Sequence, residues 1–292
     1  MSRFTSAGLP PSRLPVCFKP HRDELLSSWI GRHADFYAVP SLVMLRHCLP
    51  EAASLRAADL NLAENQEVRL ANMFAAEPAD IRRMTFTNVP PLFHRWIAVR
   101  PSQRCTICNP VHAAPLPVLR SQLLGWRITC SRCGDLLRDR DGHEVPSPFR
   151  HYHSMAIRGE KLLDNEIERG ARTWASPTEI ARLLLMRRII FPVPSEHELY
   201  LFRVLGVIIP DLDRVVAAER VDLSTPARPI LPLHLRASLL TGVAIVKRAG
   251  PEMLRMLRRY MLGDNMTRFS DAAEKLIAQA GKHPYASQRQ LI

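Results

Sequence analysis

Two pairs of cysteines constrain this chain more than any other feature: Cys105-Thr106-Ile107-Cys108 and Cys130-Ser131-Arg132-Cys133. A gap of two residues lets one tight turn present both sulfurs to a single metal, and residues 109–129 between the pairs close as a loop of zinc-ribbon length. One structural Zn²⁺ per chain, held by Cys105, Cys108, Cys130 and Cys133, would be tetrahedral and fully thiolate. Such a site leaves no open position for water or substrate, so it holds structure and performs no chemistry. The alternative is two pairs of unrelated buried thiols. Cys17 and Cys48 stand alone and read as buried thiols, while His143, His151 and His153 are substitute ligands in reserve.

Around this site there is ample chain for two domains, 292 residues with 47% hydrophobic side chains. We place the boundary near residue 150: a helical domain over 1–150 and a second α-helical domain over 151–292. No apolar run is long enough to span a bilayer, and the first residues lack the apolar core of a secretory signal. The expectation is a cytoplasmic protein with no membrane partner, in a compartment where paired cysteines ligate metal rather than form disulfides.

Charge points to nucleic acid. Lys and Arg number 40 against 28 Asp and Glu, a net of +12, with a pI near 10.0, the balance of a protein that meets polyanions. Only five of the cations are Lys, at positions 19, 161, 247, 275 and 282, and Arg favours bidentate phosphate contacts. No segment is a basic tail, and residues 151–200 carry seven charges of each sign. Any binding face must therefore be assembled by folding.

Along the chain, the proline-rich residues 1–20 read as an extended arm whose apolar residues need cover. Leu25, Leu26, Trp29, Ile30 and His33 then fall on one helical stripe, with Asp23 and Glu24 placed in the first turn. A short helix follows over 41–48. Residues 65–86 read as a helix-turn-helix-like pair, with Pro78 at the first turn of the second helix. That helix would offer Arg82 and Arg83, beside Arg69, to DNA or to a partner, although such helix pairs occur in many α-helical proteins.

The zinc-binding segment spans 105–137, with residues 123–129 as a strand feeding the second knuckle, Trp126 over the metal site, and Leu136 and Leu137 docking the ribbon onto helices. Residues 138–143 read as a turn. Beyond residue 155 the pattern is helical. Ser176-Pro177-Thr178-Glu179 is a capping box opening a helix that runs to 190, Ser195 caps another through 205, and four more candidates cover 210–219, 231–249, 251–263 and 266–280. Arg255, Arg258 and Arg259, with Arg268 and Lys275, could form a basic stripe on the last two. The fold class expected is mainly α: a helical N-terminal domain with an embedded four-cysteine zinc ribbon, then a C-terminal helical bundle.

Enzymatic machinery is not legible: there is no phosphate-cradling Gly-rich loop, no nucleophile elbow and no local carboxylate cluster. With helix, helix pair and cysteines in this order, the chain resembles the TniQ family of transposon target-selection proteins. The likeness is carried by Leu14-Pro15 with residues 23–32 (DELLSSWIGR), by Leu70-Ala71 through Ile81-Arg82-Arg83-Met84-Thr85-Phe86, and by Arg104-Cys105 through Cys108 with residues 126–137. Two departures stand out. Many relatives have His where Cys133 stands and a further cysteine knuckle, and a glycine in the helix-helix turn that is here Ala76 or a neighbour.

The resemblance implies a non-enzymatic adaptor that binds target DNA, or a complex marking it, and recruits the transposon AAA+ ATPase. The transposase and a second copy of the chain are further candidate partners. The rival reading is a zinc-containing DNA-binding transcription regulator.

Overall fold

The computed structural model describes residues 13–108, 117–139, 147–171, 174–188 and 202–280. These are mainly helical, with one two-stranded sheet, and they divide into two compact units. No helix among the described residues is long and apolar enough to cross a membrane.

The first unit comprises Met1–His94, Val99–Pro101 and Asn109–Leu123. It is built on five helices: α1 (Leu26–Phe36), α2 (Ser41–Cys48), α3 (Leu55–Leu60), α4 (Glu64–Phe74) and α5 (Pro78–Arg83). Leu26, Trp29, Ile30, Leu45, Leu70, Phe74 and Ile81 supply its core. The described part of the arm, from residue 13, finds its cover: the Leu14 N–H donates to the Met73 carbonyl at 2.9 Å, and the Phe18 N–H donates to His33 Nε2 at 2.9 Å. Trp29 Nε1 returns a bond to the Phe18 carbonyl at 2.8 Å. Burial lowers the His33 pKa, which suits a neutral ring that accepts at Nε2 and donates from Nδ1 to the Trp29 carbonyl.

The start of α1 differs from the sequence expectation. The helix begins at Leu26, and Asp23 and Glu24 lie ahead of it. Asp23 takes a left-handed φ of 64° and accepts from Ser121, while the wholly buried Glu24 bridges to Leu119 and accepts from Arg32 Nε and Nη2, both at 2.8 Å. Both acids thus fasten residues 118–121 instead of complementing the macrodipole. That role falls to Asp59 of α3, whose carboxylate accepts from the Ser27 N–H at 2.8 Å in the first turn of α1.

Between α4 and α5 the chain turns at Ala75, which is left-handed (φ 51°, ψ 45°), and the Ala76 N–H donates to the Ala71 carbonyl at 2.9 Å. This is a Schellman end, the geometry that favours glycine.

The second unit comprises Arg95–Ala98, Ser102–Cys108 and Leu124–Ile292. Its helices are α6 (His153–Arg169), α7 (Pro177–Leu184), α8 (Leu205–Ile208), α9 (Asp211–Glu219), α10 (Leu233–Ala249), α11 (Pro251–Leu257) and α12 (Gly263–Ala280). α10 is the axis of this unit, buried on nearly every side from Leu235 to Lys247. α6 packs on it so closely that a Cβ on Gly159 would meet the Leu240 carbonyl oxygen at 2.1 Å. Ser176 caps α7 by accepting from the Glu179 N–H at 3.2 Å. That helix ends at Leu184, short of the expected 190, because the Met186 carbonyl accepts from the Val204 N–H and Arg187 bridges to Arg203. The helix expected from Ser195 falls mainly outside the described residues.

Two substitutions should move stability in opposite directions in denaturant unfolding. Ala75→Gly relieves left-handed strain and should stabilise by about 0.5 kcal/mol, whereas Gly159→Ala overpacks the α6–α10 contact and should destabilise by about 2–3 kcal/mol.

Burial pushes the Asp59 carboxyl up to about 6. Between its ordinary value and pH 6 the folded state holds the extra proton, so stability falls as pH rises through that window. Asp59→Asn keeps an acceptor for Ser27, and should flatten the pH dependence there and raise stability at pH 7 by on the order of 2 kcal/mol. Urea unfolding at pH 4, 5, 6 and 7 would detect both effects.

Candidate metal centre

The four cysteines of the two pairs come together in the second unit. Their sulfurs all lie within 4.8 Å of one another, with Cys105 Sγ and Cys133 Sγ 3.5 Å apart. Four thiolates at about 2.3 Å from one tetrahedral ion would lie about 3.8 Å from each other, so the donor set is able to hold a metal ion. Each knuckle makes the amide-to-sulfur bond of a tight turn: the Cys108 N–H donates to Cys105 Sγ and the Arg132 N–H to Cys130 Sγ, both at 3.4 Å. Gly134 (φ 79°) closes the second knuckle, and its N–H donates to the Cys130 carbonyl at 2.9 Å. Burial raises the Cys105 thiol and pushes Cys108 up to about 12, whereas the Asp135 N–H pulls Cys133 down. A cation would favour all four as thiolates. Among the described residues no histidine joins this group; His143 lies outside them.

Both arms of the cysteine hairpin are strapped to helices by buried polar side chains. β1 (Gln103–Arg104) pairs antiparallel with β2 (Arg138–Asp139), which replaces the start of the expected turn. Residues 123–129 form isolated bridges at Leu124 and Thr129 rather than a continuous strand. The reason lies in α6. Glu160 accepts from the Ile128 N–H at 2.8 Å, the Thr129 N–H at 3.0 Å and the Thr129 hydroxyl, so those two N–H groups bond to a side chain, and the pairing with the segment after the knuckle is limited to one bridge and the Leu137 N–H on the Ile128 carbonyl. Asp164, one turn on, accepts from Trp126 Nε1 at 2.7 Å and Arg127 Nη2 at 2.8 Å. Trp126 is therefore an anchor to α6. The apolar group packed with the cysteines consists of Leu137 and, from α10, Leu233, while Leu136 is exposed.

From α10, Arg236 joins the two arms: it donates to the Gln103 side-chain oxygen on one and to the Arg127 carbonyl, at 2.7 Å, on the other. Burial lowers its pKa to about 10, which leaves it charged at neutral pH. Sequence reading did not single out Glu160, Asp164 or Arg236. The available signal was charge at helix positions in register with Ala156, Gly159, Leu163 and Ile167, the buried stripe of α6.

Residues 15–156 match the TniQ family model, a span that holds the end of the arm, the helix pair and all four clustered cysteines. This stretch of the chain is a TniQ domain. No curated protein and no solved structure matches the chain significantly. The TniQ span thus begins in the arm and ends on α6.

The arginines singled out from sequence fare differently. In the TniQ helix pair, Arg82 on α5 chelates the buried Glu67 of α4, with Nε at 2.9 and 3.0 Å and Nη2 at 2.7 Å from its carboxylate oxygens. Its first task is to clasp the two helices. Arg83 pairs with Asp80, Arg69 lies 4.0 Å from Glu51, and Arg255 pairs with Glu252 and, at 3.6 Å, Glu274. Such exposed pairs are weak and exchangeable. Arg258 and Arg259 are exposed and make no ion pair among the described residues.

Removing the Glu160 carboxylate leaves two backbone donors without their acceptor just before the second knuckle. Glu160→Ala should destabilise by about 3 kcal/mol and make the cysteines more accessible to a thiol reagent. Unfolding and thiol-labelling rates on the same sample test both.

Proposed function

We propose that this protein is a non-enzymatic adaptor for transposition target selection. It engages target DNA, or a complex already marking it, and recruits the transposon AAA+ ATPase, which brings the transposase. The observation carrying the reading is the TniQ match over residues 15–156, which fits a transposition-associated protein. The chemistry of the cysteine site agrees with a scaffold role. An all-thiolate set suits zinc, and four protein ligands leave no coordination site for a reacting group. One Zn²⁺, held by Cys105, Cys108, Cys130 and Cys133, would fix the hairpin. Exposed Arg258 and Arg259, without ion pairs among the described residues, add to the cationic surface that a DNA partner requires, as does the net +12 of the chain.

The test is co-purification of the full chain with the AAA+ ATPase encoded beside it, alongside duplex DNA binding at low salt. The expected result is retention of the ATPase and DNA affinity that falls steeply with salt. Tight binding to one operator without the ATPase would instead make it a transcription regulator, and metal-dependent DNA cleavage lost on replacing a carboxylate would make it a nuclease. Cys105→Ser or Cys130→Ser should lose zinc, removing on the order of 10 kcal/mol of folding free energy, and lose ATPase retention with it. Full zinc content and activity in either variant would refute the four-thiolate assignment.

A further inference from the structure

The outer face of α6 is cationic in a way its composition conceals. The helix carries four carboxylates, Glu160, Asp164, Glu166 and Glu168, against Arg158, Lys161 and Arg169, so in sequence it reads as slightly acidic. Folding sorts these charges. Glu160 is 3% exposed and Glu166 1%. Glu160 and Asp164 hold the cysteine hairpin, and Glu166 accepts from the Thr178 N–H and hydroxyl at 2.9 and 2.8 Å. Glu168, at the edge of the outer face, is half-buried and already engaged.

Outward remain Arg150 in the 3₁₀ turn before the helix, then Ser154, Arg158, Lys161, Asn165 and Arg169, spaced by three or four residues and so on one side. Arg150, Arg158 and Lys161 are exposed and have no ion pair or side-chain hydrogen bond among the described residues. Among the described residues Arg169 bonds only to the neutral Asn165 amide oxygen, at 3.3 Å.

We propose that this face of α6 docks on the phosphate backbone of duplex DNA. The inference rests on the DNA half of the adaptor reading and gives it a location. The helix is about 25 Å long at 1.5 Å per residue, and duplex DNA presents one charge per roughly 1.7 Å of axis, so four cations along it meet a ligand of matching extent. The stripe holds no exposed apolar side chain, and a protein interface draws its energy from buried apolar and aromatic anchors. Single-strand binders stack bases on free aromatic rings, but His151, beside the stripe, lies tilted at 45° against Tyr152 with centroids 4.0 Å apart. With neither anchor nor platform, charge is what the face offers. A double-stranded backbone accepts that without base readout.

The experiment titrates the full-length protein with a labelled duplex of about 30 base pairs across a salt series, comparing wild type, Arg158→Gln/Lys161→Gln and the charge-matched Lys19→Gln/Arg214→Gln. The α6 variant should bind at least about tenfold more weakly at low salt, with a slope of log affinity against log salt shallower by about 2, roughly 0.9 per lost phosphate contact. Its unfolding midpoint should match wild type, since both side chains are exposed and make no pair among the described residues. If wild type binds and the α6 variant binds equally well, or the control loses as much, the assignment to α6 is overturned while DNA engagement stands. If wild type binds no duplex at low salt, the DNA half of the adaptor reading falls and takes this inference with it. Tighter binding to a single strand than to the duplex would overturn the choice of ligand.

Discussion

The second unit depends on the buried acids of α6. Ion pairs and carboxylate hydrogen bonds taken out of water are strongly destabilising when one partner is lost, and here Glu160 and Asp164 hold a segment with little secondary structure of its own. Residues 124–129 make isolated bridges, and without Glu160 the Ile128 and Thr129 N–H groups would lose their acceptor. Glu160 satisfies the pair just before Cys130 and Asp164 fixes Trp126 and Arg127, while Arg236 ties Arg127 to Gln103 beside Cys105. The separation between the two knuckles is thus set by helices α6 and α10 as well as by any metal. The close approach at Gly159 against Leu240 keeps those two helices in register, so side chains on each can grip the same hairpin.

Legibility in the sequence followed the range of the interactions involved. The CxxC pairs brought their sulfurs together as spaced, the Ser176 cap formed where Pro177 and Glu179 indicated, and the helix over 41–48 has those bounds. Each depends on residues a few positions apart or on one strong chemical preference. Asp23 and Glu24 were misplaced because their partners Ser121 and Leu119 lie almost a hundred residues on, and no local rule weighs a distant hydroxyl against a helix dipole. The strand expected over 123–129 failed for the same reason. Its β-branched and apolar content was real, but the acceptors that won were carboxylates on α6, which local propensity does not see.

The helix pair shows how one residue type can serve two ends. Arg82 and Arg83 are adjacent in sequence and equal in intrinsic chemistry, yet Arg82 closes a bidentate contact on buried Glu67 while exposed Arg83 pairs with half-buried Asp80. A buried carboxylate without its cation would carry a large desolvation penalty, so Arg82 is committed to the fold. Arg83 exchanges its partner at little cost. At the turn between the helices, left-handed Ala75 stands in a conformation that glycine adopts more easily. The Schellman bond to Ala71 and the clasp by Arg82 together offset that strain.

Charge sorting on α6 links the scaffold to the proposed surface. Carboxylates needed inside, to hold the hairpin and to meet the first turn of α7, are unavailable to neutralise Arg158 and Lys161 outside. A helix that looks balanced in composition therefore becomes cationic on its free side as a consequence of how the cysteine segment is held. Replacing the inner acids by apolar residues would remove the hairpin's supports without changing the outer face, whereas moving an acid outward would quench that face through pairs at i+3 or i+4. The same inward carboxylates thus strengthen the scaffold and unmask its charge, and for that reason the +12 of the whole chain is a poorer guide to a polyanion site than the side on which each acid of α6 is buried.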